Sequence, residues 1–153
     1  MMIPGTPGTM TTKVFQNLSF ELYEPSDNAS VVYATRKLAA QMGFDESAQF
    51  LIATAVSELA TNILRYANQG RITLRIIRKD SRDGIEVTAE DYGPGIVNID
   101  EAMQEHFSSG NGLGLGLPSV RRIMDEFAIE SKPGQGTRIV ARKWRADRLA
   151  EVD

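Results

Sequence analysis

Residues 84–96 read GIEVTAEDYGPGI, and this stretch decides the fold. Its first half alternates apolar and polar side chains, which is the two-residue period of a strand with one buried face, here Ile85, Val87 and Ala89. The same count puts Asp91 on the buried side, where an unpaired carboxylate is unfavourable. Gly93 and Gly95 then permit a sharp turn of the backbone. The pattern predicts a buried strand that ends in a polar site.

Asp91 therefore needs a hydrogen-bond donor. An adenine amino group supplies one, and the two glycines after the carboxylate leave room for a ring. The alternative is structural, because an Asp before a Gly-Pro turn can cap its own backbone. Both interpretations stay open on this stretch alone.

A second polar feature lies on the helix predicted between Asp45 and the turn at residues 67–70. At about 100° per residue, four polar side chains fall in a stripe about 80° wide, namely Thr54, Glu58, Asn62 and Arg65. Apolar side chains occupy the other side of the helix. The stripe aligns a carboxylate, an amide and a guanidinium, although an ordinary solvated helix face gives the same pattern.

A glycine-rich run, SSGNGLGLGLP, fills residues 108–118 and leads into a predicted helix. Backbone N–H groups of such a loop and helix start can surround phosphate oxygens, and the candidates are Gly110, Gly112, Gly114 and Gly116. The spacing matches neither the dinucleotide-binding nor the Walker pattern. The alternative is a plain flexible connector.

The last candidate element is GQGT at residues 134–137. The strand period after this turn puts Thr137 on the same face as Ile139 and Ala141. We therefore expect its hydroxyl to point into the core beside Asp91. A β-turn followed by a strand-forming Thr gives the same sequence.

The remaining periodicities complete a β-α-α-β-β-loop-α-β-β order. Strands are predicted at 14–23, 72–76, 85–89, 128–131 and 137–144, and helices at 25–43, from 45 to the 67–70 turn, and at 118–127. Asp83-Gly84 predicts the hairpin turn between the two middle strands. This order predicts an α/β fold of the α+β two-layer type, with a mixed or antiparallel sheet and helices on one face.

Composition limits the classes of function. The 153 residues, 42% of them hydrophobic, suffice for one core, so we expect one domain at 13–145, a disordered tail at 1–12 and a C-terminal tail at 146–153. A net charge of −3 gives no general attraction for nucleic acid or anionic lipid. The chain has no cysteine, no bilayer-length apolar run and no signal-peptide pattern. We expect a cytoplasmic protein that binds neither nucleic acid nor membrane.

Together the four elements resemble the GHKL ATPase superfamily of DNA gyrase, Hsp90, histidine kinases and MutL, over roughly residues 54–139. The shared patterns are Glu-x-x-x-Asn, Asp-x-Gly-x-Gly, the glycine-rich run and Gly-x-Gly-Thr. The resemblance implies the Bergerat-type ATP-binding fold, with ATP and Mg²⁺ as cofactors. It also implies a role for each matched side chain: Asn62 holds Mg²⁺, Asp91 accepts from the adenine amino group, Thr137 supports Asp91 or a bound water, and Glu58 is the general base.

Within that superfamily, SELATNILRYA (57–67), EDYGPGI (90–96) and GLGLGLPSVRRIMDEF (112–127) are most similar to the stand-alone anti-sigma-factor kinases. The length leaves no room for a transducer domain or a phosphorylated helical hairpin, and we expect the one histidine, His106, to lie on the surface. The resemblance implies a serine/threonine kinase that phosphorylates STAS-domain proteins in a bacterial partner switch, the stressosome. The kinase is then released to activate a downstream phosphatase or other output enzyme.

Two other functions remain open. One is an anti-sigma factor that sequesters a sigma factor, either as a kinase or as a binding module whose nucleotide only shapes the interface. The other is a bare ATPase module of a larger machine. Glu58 discriminates, because a pure binder needs no base aligned with a metal ligand. Since residues 107–117 contain no Lys or Arg, the triphosphate charge is left to Mg²⁺, backbone N–H groups and Arg65.

Overall fold

The computed structural model describes residues 12–96, 98–104 and 116–146. These residues form five strands and four helices: β1 (Lys13–Leu22), α1 (Pro25–Gln41), α2 (Glu46–Tyr66), β2 (Gly70–Lys79), β3 (Arg82–Asp91), α3 (Ile99–Ala102), α4 (Gly116–Ile123), β4 (Glu126–Lys132) and β5 (Gly136–Trp144). The strands make one antiparallel sheet in the order β1-β2-β3-β5-β4. The predicted α+β two-layer fold is confirmed, and its sheet is antiparallel rather than mixed. Most of both predicted tails lies outside the described residues.

The helices cover one face of the sheet, and α2 is the central helix. Its apolar side is buried and joins a single core cluster with alternate residues of the strands, among them Leu74, Val87 and Ile139. Burial of apolar area supplies most of the driving force for this arrangement. Because the apolar side of α2 faces the sheet, its polar stripe is left along the edge of the helical layer.

The opposite face of the sheet carries buried charged pairs. Glu86, only 7% exposed, pairs there with Arg142 at 2.9 Å and with Arg75 at 3.4 Å. The two guanidinium groups offset the cost of removing this carboxylate from water. The central strand β3 therefore carries apolar side chains toward the helices and paired polar side chains away from them.

The two long helices begin and end at residues suited to those positions. Pro25 opens α1, and the Asp27 carboxylate accepts from the N–H groups of Tyr23 and Glu24, which lowers the pKa of Asp27. Asp45 caps α2 by accepting from an amide in its first turn, at 2.7 Å, as predicted. Gly43, at φ +90°, ends the first helical segment. No described helix has the length and apolar character needed to cross a membrane.

The hairpin turn between β2 and β3 differs from the prediction. Asp80 and Ser81 form the turn, with φ of 54° and 68°, whereas the predicted Asp83 and Gly84 lie within β3. Two positive φ values match the twist of the flanking strands. Gly84 is glycine for another reason, because a Cβ there would lie 2.7 Å from the indole of Trp144.

The predicted helix at 118–127 was too long, and α4 ends at Ile123. The chain joins the sheet immediately afterwards: the N–H of Asp125 donates to the carbonyl of Arg142, and the Asp125 carboxylate accepts from the N–H of Trp144. Because these bonds hold Asp125 against β5, the helix cannot continue, and the chain forms β4 from Glu126 onward. The short α3 was not predicted, and Asn98 caps it.

Candidate functional site

Four residues lie side by side across the sheet at the end of β3. Gly70 pairs with Asp91, Asp91 with Thr137, and Thr137 with Ser131. Directly paired residues project to the same face of a sheet, and here that is the helix-facing side. We call these four residues the row, and it places one carboxylate and two hydroxyl groups next to each other. The structure thus puts Thr137, 8% exposed, beside Asp91.

The half-buried Asp91 carboxylate is partly satisfied by its own loop. Its Oδ1 accepts from the N–H of Gly93 at 2.9 Å, the local cap that the structural alternative called for. Its other oxygen, Oδ2, has no hydrogen-bond partner among the residues that the structure describes. The loop therefore orients the carboxylate and leaves one acceptor for a further donor.

Two turns hold this end of the site together, and we call them the clasp: residues 91–96, from the last residue of β3 onward, and residues 132–137, from the last residue of β4 to the start of β5. Gly95, at φ +80°, lies where a Cβ would overlap the carbonyl of Lys132. Gly136, at φ +88°, lies where a Cβ would overlap the carbonyl of Asp91. A hydrogen bond of 2.7 Å from Gly134 N–H to the Pro94 carbonyl joins the same turns. Both glycines are thus required by the contact between the turns, as well as by the sharp bend of the chain.

Glycines also bring the end of α2 against Asp91. A Cβ on Gly93 would lie 2.6 Å from the Cβ of Ala67, just past the end of α2. A Cβ on Gly70 would lie 2.8 Å from the Cγ2 of Ile63 and 3.1 Å from the Cβ of Asp91. The absence of these side chains lets the helix and the carboxylate approach each other.

The polar stripe of α2 is retained, and its members have different surroundings. Glu58 is half-buried, and its Oε1 accepts from the N–H of Gly116, the first residue of α4, at 3.0 Å. Asn62 is half-buried one turn further along, and its amide makes no hydrogen bond within the described ranges. Arg65 is exposed, with its guanidinium 5.9 Å from the centroid of the Tyr66 ring. Thr54 donates back to its own helix, at the Phe50 carbonyl.

The glycine-rich run is described only from Gly116 onward. Gly110, Gly112, Gly114 and His106 lie outside the described residues. Gly116 has φ +48° and brings the start of α4 to Glu58. The N-terminal N–H groups of a helix favour an anion, and a carboxylate holds one of them here.

Asn62 and Glu58 suit a magnesium ion that arrives bound to a phosphate. Among the described residues, no three His, Cys, Asp or Glu side chains come together as a metal site. Magnesium usually keeps most of its water and takes one or two protein oxygens plus phosphate oxygens. The amide oxygen of Asn62, one turn along α2 from Glu58, is an oxygen of this kind and would fit such a ligand set.

A cavity of about 220 Å³ lies beside this end of the sheet and borders the site, because Ala67 and Gly70 are among the residues that line it. That cavity is lined by Glu21, Arg71 and Glu90, which follow one another across β1, β2 and β3. Arg71 and Glu21 are ion-paired there at 2.6 Å, which raises the pKa of Arg71. None of the predicted site residues lines it.

Residues 48–147 match the family model of histidine kinase-, DNA gyrase B- and HSP90-like ATPases. This match spans the polar stripe, Asp91, Gly116 and the clasp. The chain belongs to this family of ATPase domains.

Two kinds of curated relative are similar to this chain in sequence. The chain is 46% identical to the serine/threonine-protein kinase RsbT of Bacillus subtilis over 109 residues, which are 71% of this chain and 82% of that protein. It is 37% identical to an anti-sigma F factor of Caldanaerobacter subterraneus, over 61% of this chain and 68% of that protein. A chain in the crystal structure of the SiaB–SiaC complex from Pseudomonas aeruginosa shares the fold, with a TM-score of 0.54, 14% identity, and coverage of 86% of this chain and 90% of that one.

Two residues of the row were not predicted from the sequence. Ser131 is a polar residue on the inward face of β4, in period with Phe127 and Ile129, and that break in an apolar pattern was the available signal. Gly70 was assigned only to a turn. Its closeness to Asp91 depends on the register of β2 against β3, and the predicted hairpin turn at Asp83-Gly84 was misplaced.

Proposed function

We propose that the chain is a Mg-ATP-dependent serine/threonine protein kinase acting in a bacterial partner switch in the cytoplasm. The observation that carries this proposal is the position of Glu58 on α2. Its carboxylate contacts the first residue of α4, and Asn62 lies one turn away on the same side of α2. A carboxylate close to a metal ligand can take the proton of an attacking hydroxyl in phosphoryl transfer, and the N–H groups of a helix start can hold phosphate oxygens. The similarity to RsbT, named a serine/threonine-protein kinase, supports it.

The nucleotide lies along α2 in this proposal. Its adenine amino group donates to the Oδ2 of Asp91, with Thr137 alongside, and its phosphates extend toward the start of α4. Glu58 and Ala67 are nine positions apart, or about 13 Å along a helix axis. Asn62 falls between them, where a metal ligand could reach the phosphates. Arg65 and the glycines of the run are further candidates for phosphate contacts.

Glu58 acts as the general base. Its carboxylate takes the proton of a serine or threonine hydroxyl as that oxygen bonds to the γ-phosphorus. The bond from the γ-phosphorus to the β–γ bridging oxygen breaks, and ADP leaves with that oxygen. Asn62 would hold Mg²⁺, which supplies charge neutralisation for the phosphate oxygens when bound.

STAS-domain proteins are the proposed substrates, as in the resemblance to anti-sigma-factor kinases. After phosphorylation the kinase leaves its substrate and activates a downstream phosphatase or other output enzyme of the stressosome type. The identity to RsbT supports this role over a bare ATPase module, because RsbT is named for protein phosphorylation.

The second candidate is an anti-sigma factor. The 37% identity to an anti-sigma F factor favours it, and such a protein can bind nucleotide without a catalytic need for Glu58. The two functions predict different partners. Labelling of a STAS-domain protein from γ-labelled ATP requires a kinase, whereas retention of a sigma factor on a column requires an anti-sigma factor; an anti-sigma factor that is also a kinase would do both.

The deciding experiment offers both partners to the purified chain. We expect Mg²⁺-dependent labelling of the STAS-domain protein, and little labelling with the Glu58→Gln variant. Retention of a sigma factor without any labelled STAS-domain protein would favour the second candidate. ATP hydrolysis without either interaction would favour a bare ATPase module.

A further inference from the structure

The hydroxyl of Ser131 contacts both turns of the clasp. Its Oγ accepts from the N–H of Ile96 at 2.7 Å, lies 2.7 Å from the Oγ1 of Thr137, and lies 3.1 Å from the carbonyl oxygen of Gly136. These partners belong to both turns of the clasp. Ser131 is also the direct cross-strand neighbour of Thr137, which is in turn the neighbour of Asp91.

The number of donors fixes the direction of these hydrogen bonds. A serine hydroxyl has one proton to donate and two lone pairs. The Gly136 carbonyl can only accept, and the Ile96 amide can only donate. All three contacts are satisfied together only if Ser131 donates to Gly136 and accepts from both Ile96 and Thr137. The hydroxyl of Thr137 then donates its proton to the Oγ of Ser131.

The direction of these hydrogen bonds determines which group Thr137 presents to a ligand. With its proton directed at Ser131, the Thr137 oxygen presents lone pairs to the site. Asp91 presents a second acceptor, Oδ2, from the adjacent strand. Two neighbouring acceptors favour a ligand group that carries hydrogens, such as an exocyclic amino group, and disfavour a ligand oxygen.

We infer that Ser131 is a positioning residue that makes Thr137 an acceptor and thereby sets selectivity for a 6-aminopurine over a 6-oxopurine. This inference rests on the proposed nucleotide site at Asp91. Ser131 acts through Thr137 and through the clasp, without touching the nucleotide. Without its hydroxyl, Thr137 is free to rotate and donate to a 6-oxo group.

The test compares the affinities of ATP and inosine triphosphate, in which a 6-oxo acceptor replaces the amino donor, by calorimetry with Mg²⁺. We expect the wild type to prefer ATP and Ser131→Ala to reduce the ratio of the two affinities by about tenfold, the effect of roughly one well-placed hydrogen bond. Ser131→Thr keeps the hydroxyl and should restore the ratio. Ser131→Cys keeps the size of the side chain and should behave as Ser131→Ala, even if the alanine variant folds poorly.

A matched control exists on the other face of the sheet. Ser19 and Thr73 form a similar hydroxyl pair, at 3.2 Å, between β1 and β2. Ser19→Ala should leave the ratio unchanged. If Ser131→Ala and Ser131→Cys lose thermal stability but keep the wild-type ratio, the role of Ser131 is structural and the inference is wrong. If the wild type binds neither nucleotide, the proposed function fails and this inference fails with it.

Discussion

The carboxylate of Glu58 accepts a hydrogen bond from the backbone N–H of Gly116, with 3.0 Å between Oε1 and the nitrogen. The two residues are 58 positions apart in sequence, so the contact depends on the packing of α2 against α4. It ties the polar stripe to the end of the glycine-rich run.

Glu58→Gln should slow phosphoryl transfer by about 10²–10⁴-fold, the usual cost of losing a general base. The amide oxygen of Gln can still accept from Gly116, so the contact between α2 and α4 and the binding of Mg-ATP should persist. Rates of STAS-domain phosphorylation, together with calorimetry, measure both. Glu46→Gln, in the exposed first turn of the same helix, is the control. An undiminished rate in Glu58→Gln would remove Glu58 from the role of base.

Asp91→Asn should abolish ATP binding while the fold survives. The Asn oxygen can keep the 2.9 Å hydrogen bond from Gly93, and its NH₂ group then takes the place of Oδ2. This NH₂ donor would face the NH₂ donor of the adenine amino group, and two donors cannot form a hydrogen bond. Calorimetry with ATP, and circular dichroism for the fold, check the two parts. Asp100→Asn on the exposed side of α3 should bind as the wild type does. Near-normal affinity in Asp91→Asn would separate Asp91 from the adenine site.

Gly136→Ala and Gly134→Ala should differ sharply. Both positions have positive φ, 88° and 78°, so each substitution carries the left-handed cost of about 1–2 kcal/mol. At Gly134 nothing lies within 4 Å of the added Cβ, whereas at Gly136 the Cβ would overlap the Asp91 carbonyl. Gly136→Ala should therefore lower the free energy of unfolding by about 3–4 kcal/mol and weaken ATP binding.

Urea denaturation and calorimetry on both glycine variants make this comparison, and Gly134→Ala should bind ATP as the wild type does. Equal losses in the two variants would mean that only backbone strain matters, and that the clasp does not depend on close approach of its two turns.

Asp83→Asn should lower stability in a pH-dependent way. The hydrogen bond and charge of Arg78, at 2.6 Å, lower the pKa of the Asp83 carboxyl. This pair stabilises the protein above the ordinary pKa of an aspartate, and the stabilisation is lost as the pH falls through the lowered value. Because both side chains are partly exposed, the difference at neutral pH should be only about 0.5 kcal/mol.

Urea denaturation of the wild type and Asp83→Asn at several pH values tests this. The gap between the two free energies of unfolding should close as the pH falls below about 4. A gap that stays constant over the whole range would show that the ion pair contributes nothing measurable.

The sequence predicted the parts of the fold that local chemistry controls. The two-residue period placed Asp91 and Thr137 on the inward face, and Asp45 marked the start of α2. The hairpin was misplaced because Asp83-Gly84 looks like a turn locally, while the space that Trp144 needs is visible only in the folded sheet. The length of α4 was overestimated for a similar reason, since the bonds from Asp125 to β5 end it.

The motifs named most residues of the candidate site, but not the contacts between them. Glu58 and Gly116 were both proposed, yet nothing in the sequence indicated that they share a hydrogen bond. Ser131 was missed because its three contacts come from two turns that meet only in the folded chain. Motifs give residue types, whereas these contacts depend on strand order.

The central claim is that this chain transfers phosphate from ATP to a serine or threonine of another protein. The most direct measurement is phosphoamino-acid analysis after incubation of the wild-type chain with γ-labelled ATP, Mg²⁺ and a STAS-domain protein. We expect acid-stable label on a serine or threonine of the STAS-domain protein, and none when Mg²⁺ is removed. Acid-labile label on His106 of the chain itself, or release of free phosphate with no labelled protein, would contradict the central claim.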